Sequence, residues 1–126
     1  MNTKPGYFDL LQKAMDCLIA VDFPNAIDRC NEALQLEPDR PEALCVLGFV
    51  AMQMEDVGRA IELVQQAHEM DPDCRDYADA LAVFNARIGK LSDSLYFAKL
   101  ALALEPHPEL HAMIPSGFRD YRAALE

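Results

Sequence analysis

Basic residues are scarce in this chain, with 11 lysines and arginines against 21 acids and a formal charge of -10. Such a surface repels a phosphate backbone and offers no basic stripe along which one could run, so nucleic acid is not an expected partner. Long apolar runs are missing as well. None approaches the roughly 20 residues of a membrane-spanning helix, and the start, Met1-Asn2-Thr3-Lys4-Pro5-Gly6, lacks the apolar stretch of a secretion signal. A cytoplasmic protein without a membrane partner is expected. There are five glycines, and they form neither a Gly-x-Ser-x-Gly turn to present a nucleophile nor a loop of the kind that cradles phosphate. No strand is predicted. The reading is therefore of a non-enzyme without a cofactor.

The four cysteines, Cys17, Cys30, Cys45 and Cys74, show none of the close pairing that metal or redox motifs need. Each falls at an apolar helical position or a turn, which predicts buried free thiols, with a Cys17–Cys30 disulfide as the alternative. His107 and His111 are four apart with Glu109 between them, a spacing that presents two imidazoles to one metal if the segment is helical. Two ligands without a third do not make a zinc site. They read as a solvated pair at a helix start, and no metal is expected. The acids crowded between Glu55 and Asp79 read mostly as a solvated helix face, with a basic partner as the alternative.

A tripeptide recurs: Leu36-Glu37-Pro38, Met70-Asp71-Pro72 and Leu104-Glu105-Pro106 are each apolar, acidic, proline, and the step from each to the next is the same. A fixed period of this size signals stacked repeats. Between the prolines, apolar residues recur at helical spacing. Tyr7 to Ala20 carries Leu10, Ala14, Cys17 and Leu18, and after Asp22-Phe23-Pro24 a second helix carries Ala26, Ile27, Cys30, Ala33 and Leu34. Asp22 suits an N-cap and Pro24 the first turn, where its missing N–H costs nothing. Pro41 to Met54 and Val57 to Met70 replay the plan, and a third copy turns at Gly89. Alignment on the prolines brings small residues into register: Ala14, Gly48 and Ala82; Ala26, Ala60 and Ser94; Ala33, Ala67 and Ala101. Two antiparallel helices approach closely only where side chains are small.

From Tyr7 to Pro108, about four-fifths of the chain, this pattern resembles the tetratricopeptide repeat family. The resemblance implies an all-α, right-handed solenoid of three helix-turn-helix repeats in one domain over 1–126. The repeats fall at 7–40, 41–74 and 75–108, with a capping segment at 109–126. In the capping segment Ile114, Phe118, Tyr121 and Leu125 keep helical spacing and are expected to pack on the open end of the third repeat.

In that family the first helices of successive repeats line a concave groove for a peptide or a partner's helix. The positions implied here are Leu11, Met15 and Leu18 from the first repeat, Cys45, Phe49 and Met52 from the second, and Asp79, Val83 and Arg87 from the third. Methionine and phenylalanine suit an adaptable surface for an apolar helix or extended peptide. The alternative occupants are the chain's own tail and a second copy in a homodimer. Chaperone-binding members of the family clamp a C-terminal carboxylate through basic and amide side chains. The corresponding residues here are Leu11, Met15, Val46, Asp76 and Ala80, and none supplies a charged donor.

The expected function is a protein-interaction module or scaffold. Similar repeats also select substrates in enzymes resembling the O-linked N-acetylglucosamine transferases. The end at Leu125-Glu126, without a glycine C-cap or a basic last turn, reads as a cut consistent with a longer protein. Similarity to the repeat-containing chaperones of type III secretion is a further alternative, resting on size and three repeats.

Overall fold

A computed structural model describes residues 5–115. Among them are seven helices and no strand: α1 (Tyr7–Ile19), α2 (Phe23–Leu36), α3 (Glu42–Gln53), α4 (Val57–Met70), α5 (Arg75–Arg87), α6 (Leu91–Leu102) and the short α7 (Leu110–Met113). None is long and apolar enough to cross a membrane. The first six pair as hairpins, α1 with α2, α3 with α4 and α5 with α6. The hairpins stack in chain order, α2 on α3 and α4 on α5.

Capping chemistry explains where the second helices begin. Asp22 accepts from the Asn25 N–H at 3.4 Å, and Asp56, its counterpart one repeat later, accepts from the Arg59 N–H at 3.3 Å. Each satisfies one of the donors that a helix start leaves open. Lys90 holds the same place in the third copy and gives no side-chain cap.

The turns inside the hairpins repeat more closely than their sequences do. Gly89 has φ +77°, as expected of a glycine turn, but Val21 and Glu55, at the same place in the other copies, are also left-handed at 61° and 65°. In each case the N–H of the next residue closes a wide turn onto the first helix: Asp22 to the Cys17 carbonyl at 2.8 Å, Asp56 to Ala51 at 2.9 Å, and Lys90 to Asn85 at 2.9 Å. This six-residue closure needs one left-handed residue, whatever side chain it carries.

The small columns mark where the helices meet. Ala14, Ala26, Ala60 and Ala82 are fully buried. A Cβ on Gly48 would stand 2.5 Å from Val64 Cγ2 and 3.3 Å from the Ala60 carbonyl oxygen. In the third hairpin Ser94 replaces the alanine and donates its hydroxyl to the Ala82 carbonyl at 2.7 Å, which keeps a buried polar atom satisfied.

The recurring proline tripeptides behave alike twice. Glu37 and Asp71 close α2 and α4 with nearly the same backbone, φ -141° ψ 81° and φ -142° ψ 84°. Extended geometry is what a residue before proline adopts. The third copy differs, because α6 stops at Leu102, short of Leu104, where the register of α2 and α4 would end it. Glu105 then turns back so that its carbonyl accepts the Arg75 N–H at 2.9 Å, at the start of α5.

That turn sends the chain across the repeats. The described part of the expected capping segment, α7, packs on α1 at the far end of the array. Leu110 and Ile114 join the same buried cluster as Leu11, Met15 and Phe49. Leu91, Leu95, Tyr96 and Leu102 on α6, where a cap was expected, are exposed. Phe118, Tyr121 and Leu125 lie outside the described residues.

Candidate functional site

The first helices α1, α3 and α5 present equivalent residues once per repeat, and most of the predicted groove residues lie deep on them. Leu11, Met15, Leu18, Cys45, Phe49, Met52, Asp79 and Val83 are all buried. Phe49 meets Phe84 edge-on, with ring centroids 5.7 Å apart. Arg87 is exposed, and Ala86, the equivalent of Met52 in the next repeat, is the buried residue of that column.

A column of which the sequence pointed only to Asp76, and there only as a residue unable to clamp a carboxylate, runs near the start of these same helices: Phe8, Glu42 and Asp76. All three residues meet the segment after Pro106. The ring of His107 lies 5.7 Å from that of Phe8, and its Nε2 is 2.8 Å from Glu42 Oε2. The backbone N–H of His107 donates to Asp76 Oδ2 at 2.8 Å. One turn later His111 Nδ1 lies 2.7 Å from Asp76 Oδ1. The contacts thus span all three repeats. Acids in the first turn of α3 and α5 serve the helix dipole anywhere, and only the fold shows that these two also hold the returning chain.

Local geometry fixes the protons. His107 Nδ1 accepts from the N–H of Leu110 at 3.0 Å and of Glu109 at 3.1 Å, acting as a cap for α7. That nitrogen therefore carries no hydrogen, and Nε2–H donates to Glu42. An ionised carboxylate only accepts, so His111 Nδ1–H donates to Asp76. The two histidines do not form the solvated pair expected from their spacing. The His107 side chain is only 9% exposed, because the chain folds back onto Glu42. Among the described residues no group of three or more histidines, cysteines or acids is placed to hold a metal.

Charge is distributed unevenly along this face. Glu42 is paired with Arg40, whose Nη2 stands 3.0 Å from Oε2 and whose guanidinium also lies over the Tyr7 and Phe8 rings at 5.2 and 4.8 Å. Burial pushes the Glu42 carboxyl up, but the hydrogen bonds from Arg40 and His107 outweigh it and leave the group below the usual carboxylate range. Asp79 shows the opposite balance. Burial raises it despite Arg75 at 3.4 Å. The Asp76 side chain is fully enclosed, and it is met by His111 and by the His107 N–H, both of the returning segment. From within the repeats its described side-chain hydrogen bond is a weak 3.9 Å approach from the Cys74 thiol.

The thiols are free and three of the four are buried. Loss of hydration raises Cys30 to about 12 and Cys74 to about 11, so neither is an activated nucleophile. Tyr7 supports the site from below, its hydroxyl accepting the Ala43 N–H at 2.8 Å and so tying α1 to the start of α3. A cavity of about 500 Å³ opens between α2, α3 and α4, its apolar wall of Ile27, Leu47 and Leu63 bordered by Asn31, Asp56 and Arg59.

Comparison with known proteins agrees with this architecture. A TPR repeat-containing protein of Pseudomonas aeruginosa is 36% identical over 77 residues, which is 60% of this chain and 13% of that protein. Bacteriophage adsorption protein A of Escherichia coli is 27% identical over 79 residues, 63% of this chain and 8% of the relative. The chain thus spans a small fraction of the length of the curated relatives it matches. A family model described as tetratricopeptide repeat matches residues 18–84, more than half of the chain. With three hairpins in one repeating register beneath that match, this chain belongs to the tetratricopeptide repeat family.

Proposed function

We propose that this protein-interaction module is a non-catalytic scaffold that receives a short amphipathic segment of a partner on the face formed by α1, α3 and α5. The observation that carries this reading is that the face already holds such a segment. His107–Ile114 crosses it, with Leu110 and Ile114 in the apolar cluster and both histidines on carboxylates. A surface that accepts such a segment in cis has the shape and chemistry to accept one in trans. Leu11, Met15, Leu18, Cys45, Phe49, Met52, Asp79 and Val83 supply its buried floor, and Arg87 lies at its exposed margin.

The test uses the full chain with Leu110→Ser and Ile114→Ser, which weaken the hold of its own segment, and a labelled peptide copying residues 105–115. Saturable binding is expected, with amide-exchange protection on α1, α3 and α5. Protection confined to α2, α4 and α6 would refute the site.

A further inference from the structure

The contacts of the cis segment specify the chemistry of whatever replaces it. Among the described residues three buried carboxylates sit along this face, and two are matched by a cation from within the repeats, Glu42 by Arg40 and Asp79 by Arg75. Asp76 is the exception. Its side chain is fully enclosed, and it receives the His107 N–H at 2.8 Å and the His111 imidazole at 2.7 Å, both from the returning chain. A buried carboxylate stripped of its donors is costly, so any occupant of this face has to bring donors to Asp76.

We propose, on the basis of the groove reading above, that His107–Ile114 is a built-in pseudo-ligand. The partner that displaces it is a basic amphipathic segment of the form apolar, Arg or Lys, two variable residues, apolar. The cation takes the place of His111 on Asp76, and the apolar pair takes the places of Leu110 and Ile114. Arginine or lysine is a cation that brings several N–H donors to one carboxylate, whereas the imidazole of His111 presents a single N–H to Asp76. A charged donor makes the stronger bond to a carboxylate. Such a segment therefore outcompetes the internal one on the residue that the repeats leave unmatched. The overall charge of -10 adds attraction at long range.

The experiment titrates the Leu110→Ser, Ile114→Ser full chain with three peptides copying residues 105–115, carrying histidine, arginine or glutamate at the place of His111. The arginine peptide is expected to bind about tenfold tighter than the glutamate peptide or more, the range of a charge-assisted hydrogen bond. With Asp76→Asn added, that preference is expected to fall below about threefold. Equal affinities, or a preference that survives Asp76→Asn, would overturn the donor rule while leaving the groove itself standing. No binding by any peptide to a chain with intact helical circular dichroism would overturn both readings.

Should the double serine variant lose its helical signal, His111→Glu in the otherwise native chain gives an independent answer. It sets two carboxylates against each other without touching the apolar cluster. Amide exchange over 107–114 is expected to rise about tenfold or more, and unchanged exchange would refute Asp76 as the anchor.

Discussion

Leu110→Ala probes whether the returning segment opens separately from the repeats or melts with them. Leu110 is fully buried and Ile114 is 2% exposed. Burying two such side chains contributes roughly 3–6 kcal/mol. The three hydrogen bonds to Glu42 and Asp76 add about 1.5–3 kcal/mol each. Ordering the backbone of 107–114 opposes this at about 1–2 kcal/mol per residue. Gains and costs nearly cancel, so the net hold on the segment is within a few kcal/mol of zero. Removing about 2 kcal/mol at Leu110 then shifts its docking equilibrium roughly 30-fold toward the open form. Native-state hydrogen exchange on the full chain is the assay. Amides of 107–114 should lose protection while those in the centres of α3 and α4 keep theirs, and the thermal midpoint should fall little. A midpoint loss matching a core leucine deletion of about 2–5 kcal/mol, with protection lost equally everywhere, would show that segment and repeats form one cooperative unit.

The left-handed turn position offers a second check. A Cβ on Gly89 meets nothing within 4 Å, so Gly89→Ala should cost only the conformational difference, about 1 kcal/mol in urea unfolding. The reverse change, Glu55→Gly at φ 65°, should stabilise by up to about as much, and a destabilising result would contradict the backbone argument. Gly48→Ala should destabilise by about 1–3 kcal/mol despite better helix propensity, because Val64 and the Ala60 carbonyl have to give way. Asp79→Asn should raise the thermal midpoint at pH 7. The folded state holds the Asp79 proton more tightly than the unfolded chain does, so the native protein gains stability from this group as pH falls through the raised folded value. The advantage of the asparagine variant should therefore shrink on acidification, and an unchanged advantage at acid pH would count against burial as the cause.

The helices and their hairpin order were legible because helix formation, capping and termination are local. Asp22 with Pro24, the prolines behind Glu37 and Asp71, and the small residues at Ala14, Gly48 and Ala82 each act within a turn or two, or at one repeated contact. Some local facts were still hidden. Val21 and Glu55 take the left-handed conformation because the six-residue closure of the turn demands it, and neither side chain announces it. The terminator at Pro106 looked like its two predecessors, yet α6 ends early because the Glu105 carbonyl finds the Arg75 N–H, at the opposite end of the same repeat.

The sequence by itself determined the period, the six long helices and the side of each first helix that turns inward, since these follow from spacing and from helix start and stop chemistry. Tertiary structure alone decided what that inward face meets. Glu42 and Asp76 are ordinary first-turn acids until the chain returns, and His107 and His111 are an ordinary solvated pair until it lands on them. Those pairings join residues 65 and 35 positions apart and depend on where one backbone turn after α6 sends the chain. Spacing within a repeat carries no record of that turn, so the acid at Asp76 acquires its meaning only in the folded molecule.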